Sequence, residues 1–275
     1  MKSVIPEVFL IGETGINPEG MIGAMKAMGG NTALNWLAGK LGTQEIDGSI
    51  DEEINQGELL IEVAGRSCYK SYGIGLNPNV TKIRTESKDY IDNTLAKADG
   101  SIMEHGSVTF AFVNVSRTYT HELVRHRVGV AISQESLRFV RPTDLGLWLP
   151  PGTSETVRLG IEKAFKEVET IYKDVEKSVD AFNTTDFDAK KRATSLLRRM
   201  LPQGMATNII WTANHRTLRH VLAQRTAPGA EIEIRIVFDK VGKILKERFP
   251  LIYADFTRTE LPDGTGSWVP KYVKV

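Results

Sequence analysis

Between residues 157 and 179 the apolar positions Ile161, Ala164, Phe165, Val168, Ile171, Val175 and Val179 recur at helical spacing, with Glu and Lys opposite them. That period predicts a long amphipathic helix acting as scaffold. Alternation and β-branched content predict strands over 107–115 and 207–212. Helices are predicted over 51–65, where Asp51, Glu52 and Glu53 suit the positive end of a helix dipole, and over 87–98, broken by Asp99-Gly100. Further helices are predicted over 117–127, over 188–201 ending at Pro202, from a cap at Asn214 through 224, and over 231–249. Pro150-Pro151-Gly152 separates two helical regions, and no internal repeat occurs.

Residues 1–50 are rich in glycine and methionine, with Gly12, Gly15, Gly20, Gly23, Gly29 and Gly30 interrupting any long element. They read as a loosely structured extension with room for a short helix near 32–41, ahead of a single domain over 51–275. Mostly helices with a few strands point to an α+β fold.

The 275 residues can bury a sizeable core, and 41% hydrophobic with 25% charged content is ordinary for a globular chain. No apolar run is long enough to span a membrane, and the first residues lack the apolar core of a signal peptide. The single cysteine, Cys68, excludes an intrachain disulfide and fits a reducing cytoplasm; its simplest reading is a buried small apolar residue. A net charge of +1 argues against a protein that coats nucleic acid.

Charge is nonetheless segregated. No carboxylate occurs between Asp188 and Glu231, a stretch that holds Lys190, Lys191, Arg192, Arg198, Arg199, Arg216, Arg219 and Arg225. A second basic stretch, Arg125-His126-Arg127, is followed by Gln134, Ser136 and Arg138. All five histidines (His105, His121, His126, His215, His220) fall in or just before these regions. Arginine presents a rigid fork of donors to phosphate and planar carbonyl edges and does not lose its charge. The two stretches are therefore expected to meet in one site for an anionic, planar ligand. Surface ion pairing is the plainer explanation, and it is disfavoured because the stretch between Asp188 and Glu231 contains no carboxylate to pair with.

Other chemistries fit less well. His121 and His126 are five apart, which turns them about 140° from each other on a helix and away from one metal. Gly73-Ile-Gly75 lacks the third glycine of a dinucleotide fingerprint, and no phosphate-cradling Gly-x-x-x-x-Gly-Lys-Ser/Thr is present. Ser136 is not in a nucleophile elbow and has no adjacent base.

Arg125-His126-Arg127 followed by Ser133-Gln134-Glu135-Ser136-Leu137-Arg138-Phe139 resembles the signature of flavin-dependent thymidylate synthases. So do Glu104-His105 with the strand through Phe110, Leu201-Pro202 with Trp211-Thr212 and Asn214-His215-Arg216, and the segment from His220 to Arg225. These matches run in family order over roughly residues 60–255. The resemblance implies a sheet-centred fold with flanking helices and a small helical part. It also implies a homotetramer with FAD bound between subunits. The implied reaction converts deoxyuridylate (dUMP) to thymidylate, with methylenetetrahydrofolate as carbon donor and NADPH as reductant.

Carried over by residue, Ser101, Arg125, His126, Arg127, Gln134, Asn214, Arg216 and His220 would contact FAD. Glu122, Arg125, Gln134, Ser136, Arg138, Arg198 and Arg225 would hold the nucleotide, with Arg198 on its phosphate and Arg225 at the uracil edge. Arg225 and Ser136 are the candidate catalytic residues, Ser136 more as a hydrogen-bonding group than as a nucleophile. The chain departs from the family pattern at Glu122, where glutamine is usual, at Asp99, at Phe139, and by one extra residue between Arg127 and Ser136. Methylation or hydroxymethylation of another pyrimidine nucleotide such as uridylate (UMP) therefore stays open. So does a non-catalytic nucleotide- or RNA-binding protein that kept only the basic groove.

Overall fold

The computed structural model describes residues 1–42, 55–142, 144–179, 183 and 185–275. At its centre is a four-stranded antiparallel sheet in the order β2 (Glu7–Glu13), β3 (Ser107–Ser116), β6 (Ala206–Asn214) and β4 (Val130–Gln134). Pairing of Phe110 with Trp211 and of Phe112 with Ile209 puts these four side chains on one face, where all are buried. There they meet helices α7 (His215–Arg225) and α8 (Ile232–Arg248) through Leu218, Val221, Leu222, Val237, Phe238 and Leu245. Phe112 lies within ring contact of Tyr119, Trp211 and Phe238, with centroids 5.6, 6.2 and 6.1 Å away. The opposite face is different: Phe9 and Ile210, in one row with Ala111, are 47% and 46% exposed.

The expectation of a loosely structured N-terminal extension is corrected over residues 1–42. A short strand, β1 (Lys2–Ser3), pairs with β5 (Gly146–Leu147), and β2 is an edge of the central sheet. Helix α1 (Pro18–Leu41) follows, capped by Asn17 and Pro18, kinked at Gly30 (φ 55°, ψ −143°) and ended by left-handed Gly42. Each helical glycine costs about 1 kcal/mol. Burial of Met21, Met25, Ala33, Leu37 and Leu41 against Leu59, Val63 and Tyr72 outweighs that cost. Helix α2 (Gln56–Tyr69) is capped by Asn55, whose side chain accepts from Glu58 N; Asp51, Glu52 and Glu53 lie outside the described residues. Cys68, near the end of α2, is exposed and not buried as expected.

The helix expected over 117–127 stops early. Helix α4 (Arg117–Leu123) ends at a turn in which His126 N donates to Leu123 O, and the chain then becomes edge strand β4. Helices α3 (Ser87–Ala96), α5 (Glu155–Ser178) and α6 (Phe187–Leu197) lie close to their expected ranges, and α6 continues into a 3₁₀ turn, Arg198–Met200. A C-terminal hairpin, β7 (Phe256–Glu260) and β8 (Gly266–Pro270), was not anticipated. Among the described residues no helix is long and apolar enough to cross a membrane.

Several charges belong to the core and not to a ligand site. Arg219 is buried and donates to both carboxylate oxygens of Asp255, at 2.7 and 2.9 Å. Removing one partner of such a pair leaves a buried, uncompensated charge. Asp255→Ala is therefore expected to cost about 3–5 kcal/mol of stability, read as a lower denaturant midpoint. A midpoint unchanged within error would refute this structural role. His215 is buried too, with Nδ1 3.1 Å from Tyr253 Oη; burial, with Arg219 nearby, pushes it down to about 3. The unfolded chain thus binds a proton that the folded core refuses. This contribution is complete above pH 6.5 and is lost as pH falls from 6.5 toward 3. His215→Gln is expected to flatten the acid limb of the stability profile, and an unaltered limb would assign the acid sensitivity elsewhere.

Candidate active site

The site gathers on the turn between α4 and β4 and along α7. Asn214 caps α7 by accepting from Thr217 N (2.9 Å), and its own N–H donates to Gly129 O (3.1 Å). Thr217 Oγ1 donates to Val128 O (2.8 Å), so the start of α7 holds the whole Arg125–Gly129 turn in place. Gly129 has φ 67°, and a Cβ there would sit 2.4 Å from Asn214 Nδ2 and 2.7 Å from Thr217 Oγ1. Gly129→Ala is expected to displace the cap and loosen the Arg125–Gly129 turn, read as faster amide hydrogen exchange over 125–129, while β3, β6 and α8 keep their protection. Unchanged exchange in that variant would uncouple the turn from the start of α7.

Helix α7 then acts as a ruler of about 16 Å. Near its start Arg216 pairs with Glu104 (2.5 Å), and its Nε lies 3.1 Å from where a Cβ on Gly100 would be, beside Ser101. One turn on, the His220 ring meets His126 edge to face, with centroids 6.2 Å apart. At its end Arg225, only 12% exposed, donates from Nε to His126 Nε2 (2.7 Å), from Nη1 to Glu122 Oε2 (2.5 Å) and from Nη2 to Glu122 O (2.8 Å). Burial, followed by Arg225 and His220, pushes His126 down to about 4, so it is neutral near pH 7. Arg125 and Arg127 are exposed, with no hydrogen-bonding or ionic partner among the described residues.

On the other side of α4 a cavity of about 330 Å³ is lined by Arg117, His121, Leu137, Arg198, Arg199 and Gln203, with no carboxylate among its walls. Arg117 Nη1 is buried without a hydrogen-bond partner among the described residues, and burial, with Arg198 adding to it, lowers the Arg117 pKa. Clustered guanidiniums with an unmet donor are costly unless an anion joins them. Gln134 donates from Nε2 to Thr120 Oγ1 (3.3 Å), and Ser136 Oγ accepts from Arg138 N (3.3 Å). The Arg138 carbonyl accepts from Thr194 Oγ1 (2.6 Å), which ties the Ser136–Arg138 turn to α6 and to the cavity rim at Leu137. No base stands beside Ser136 among the described contacts.

Ser101 lies apart from this cavity. With Cys68, Tyr69, Lys82, Arg84 and Asp99 it lines a second one of about 320 Å³ that shares no residue with the first.

The structure therefore brings together Glu122, Arg125, His126, Arg127, Asn214, Arg216, His220 and Arg225 along α7, and Gln134, Ser136, Arg138 and Arg198 around α4. The structure overturns two expectations. The basic stretch between Asp188 and Glu231 does find carboxylates, supplied from elsewhere in the chain: Arg216 with Glu104, Arg219 with Asp255, Arg225 with Glu122 and Arg192 with Asp186. His215 and Arg219 share the composition of the site residues but belong to the core. Arg117 and His121 were missed as cavity residues. Their i, i+4 spacing on α4 was the available signal.

The family model described as thymidylate synthase complementing protein matches residues 50–251. A flavin-dependent thymidylate synthase of Mycobacteroides abscessus is 33% identical over 226 residues, 80% of this chain and 87% of the relative. Proteins of that name from Corynebacterium aurimucosum and Mycobacterium tuberculosis are 32% and 33% identical, covering 81% and 76% of this chain and 89% and 83% of their own lengths.

Proposed function

Because this chain belongs to the thymidylate synthase complementing protein family, we propose that it is a flavin-dependent thymidylate synthase acting on deoxyuridylate, with methylenetetrahydrofolate and NADPH as co-substrates. The observation that carries this reading is the arrangement of α4, with a cationic cavity that has no carboxylate among its described lining residues on one side and the Glu122–Arg225–His126 cluster on the other. This reading sets a mononucleotide between the two. Arg117, Arg198, Arg199 and His121 would hold its phosphate, and Gln134, Ser136 and Arg138 its sugar and base. Arg225 would face the pyrimidine. It uses three N–H groups on Glu122 and His126, and a guanidinium has five. The two left over can stabilise negative charge developing on the ring as its carbon becomes nucleophilic.

The donor set fits FAD. Unpaired cations (Arg125, Arg127), a neutral imidazole (His126) and the polar start of α7 (Asn214, Arg216) suit a planar ring joined to phosphates. His220 completes the set on this side, Gln134 would reach the flavin from the end of β4 beside α4, and Ser101 stands beside Lys82 and Arg84 in the second cavity. Bound there, FAD would supply the hydride and carry the one-carbon unit between donor and nucleotide. The chain's own residues orient the reactants, hold charge and exclude water.

Two observations support a homotetramer with sites shared between subunits. The cavities containing Ser101 and Arg198 are separate within one chain, and the row of Phe9, Ala111 and Ile210 leaves an apolar sheet face for a second copy.

The test is mass spectrometry of the nucleotide after anaerobic incubation with FAD, NADPH, methylenetetrahydrofolate and deoxyuridylate. Thymidylate is the expected product. Unchanged deoxyuridylate, with uridylate gaining a methyl or hydroxymethyl group, would replace this reading with the related one. That alternative rests on the Glu122 carboxylate held against Arg225, where it would stand close to an anionic nucleotide.

A further inference from the structure

We infer that Glu122 and Arg225 form a positioning clamp that fixes His126 as its Nδ1–H tautomer, so that His126 offers the flavin a hydrogen-bond donor. The flavin as recipient rests on the proposed function; the tautomer does not. Arg225 Nε carries a hydrogen at every accessible pH, and it lies 2.7 Å from His126 Nε2. That ring nitrogen must therefore accept. An imidazole accepts at Nε2 only when it is neutral with its proton on Nδ1.

The clamp is rigid because Arg225 cannot rotate away without losing both Glu122 bonds, one to the carboxylate (2.5 Å) and one to the backbone carbonyl (2.8 Å). His126 is held from its other end by its backbone bond to Leu123 O (3.1 Å). The charged and titratable groups facing its ring are Arg225 and His220 on α7 and Glu122 on α4, with Arg125 and Arg127 beside it in sequence. Protonating the ring would set an N–H against the guanidinium N–H, which agrees with a value of about 4. Nδ1 has no partner among the described residues, so its proton is free for a ligand acceptor such as a carbonyl oxygen or ring nitrogen. A ligand donor would be refused.

Arg225 also has N–H groups to spare for the nucleotide. The same side chain that would meet the pyrimidine thus sets the proton position of a residue expected at the flavin, and the two ligand sites are linked through one guanidinium.

The test is nitrogen NMR of the full chain labelled with ¹⁵N-histidine, first free of flavin and then loaded with FAD, titrated through the acid range. Expected for the native chain is a His126 signal with Nε2 unprotonated and Nδ1 protonated, titrating far below 6.5. In Arg225→Met the tautomer should shift toward Nε2–H and the titration should move up, still held below 6.5 by burial. Arg225→Lys, which keeps the charge but cannot bridge Glu122 and His126 together, should show the same loss of tautomer. It guards against misfolding of the first variant, and the buried His215 signal reports folding in both. His126 found as Nε2–H in the native chain, or an unaltered tautomer in both variants, overturns the clamp. The Nδ1–H form in a chain that binds no FAD would overturn the flavin reading and leave the clamp standing. Nε2–H in a flavin-binding chain would do the reverse.

Discussion

Arg225→Ala is expected to lower turnover by about 10²–10³-fold or more, the range found when one preorganised donor to a developing anion is removed, while the chain stays folded. Arg225 sits at the last turn of α7, and its side chain touches His126 and Glu122, not the core formed by Leu218, Val221 and Leu222. The loss should therefore fall on kcat/KM with little change in thermal stability. Arg225→Lys should not restore it. A lysine is a point charge, whereas three directed bonds are in place here and two more N–H groups are needed at the pyrimidine. Steady-state kinetics on flavin-loaded protein decides the matter. Activity within threefold of native in Arg225→Ala would remove this residue from the chemistry. Glu122→Gln should be far milder, because an amide oxygen can still accept from Nη1 and the backbone carbonyl still accepts from Nη2.

Much of this site could be read from the chain before its fold was known, because chemistry-bearing side chains in a fixed order are a one-dimensional signal. Arg125-His126-Arg127 before β4 and Ser136 with Arg138 after it form a motif whose order survives without coordinates. Whether a given arginine faces ligand or core cannot be read that way. Arg219 and Arg225 share a helix and a basic stretch, yet Arg219 is buried on Asp255 and Phe256 whereas Arg225 reaches Glu122. Their partners lie 36 and 103 residues away in sequence.

Elements were missed for similar reasons. Helix α1 was hidden by glycines whose cost is offset only when Met25 and Leu37 are buried against α2. Strand β4 is an exposed five-residue edge whose order depends on pairing with β6. The C-terminal hairpin did carry a local mark, Asp263-Gly264 with Gly264 at φ 79°, which a search for turn dipeptides would have found.

The cationic cavity gives the second large expectation, and it joins binding to stability. Arg198→Ala should weaken nucleotide binding by about 10–100-fold, since a hydrogen bond to a charged group contributes about 1.5–3 kcal/mol. Affinity for FAD should change by less than threefold, because Arg198 lines the α4 cavity and not the one containing Ser101. Arg117→Met should also weaken the nucleotide, but its effect on the empty chain differs. Arg117 keeps a buried Nη1 unpaired and is opposed by Arg198. Exchanging it for an apolar side chain of similar length removes both penalties, worth about 1–3 kcal/mol for an unmet buried donor. The variant should therefore melt higher than the native chain without nucleotide and gain less when nucleotide is added. A side chain retained at a cost to stability is what a ligand contact requires and what a structural contact does not. Titration calorimetry and thermal melts with and without deoxyuridylate measure both quantities. If Arg117→Met melts lower and binds normally, Arg117 is scaffold and the phosphate belongs to Arg198 and Arg199 alone. Lower affinity combined with a higher apo melting temperature would place Arg117 at the phosphate, a residue that sequence reasoning passed over.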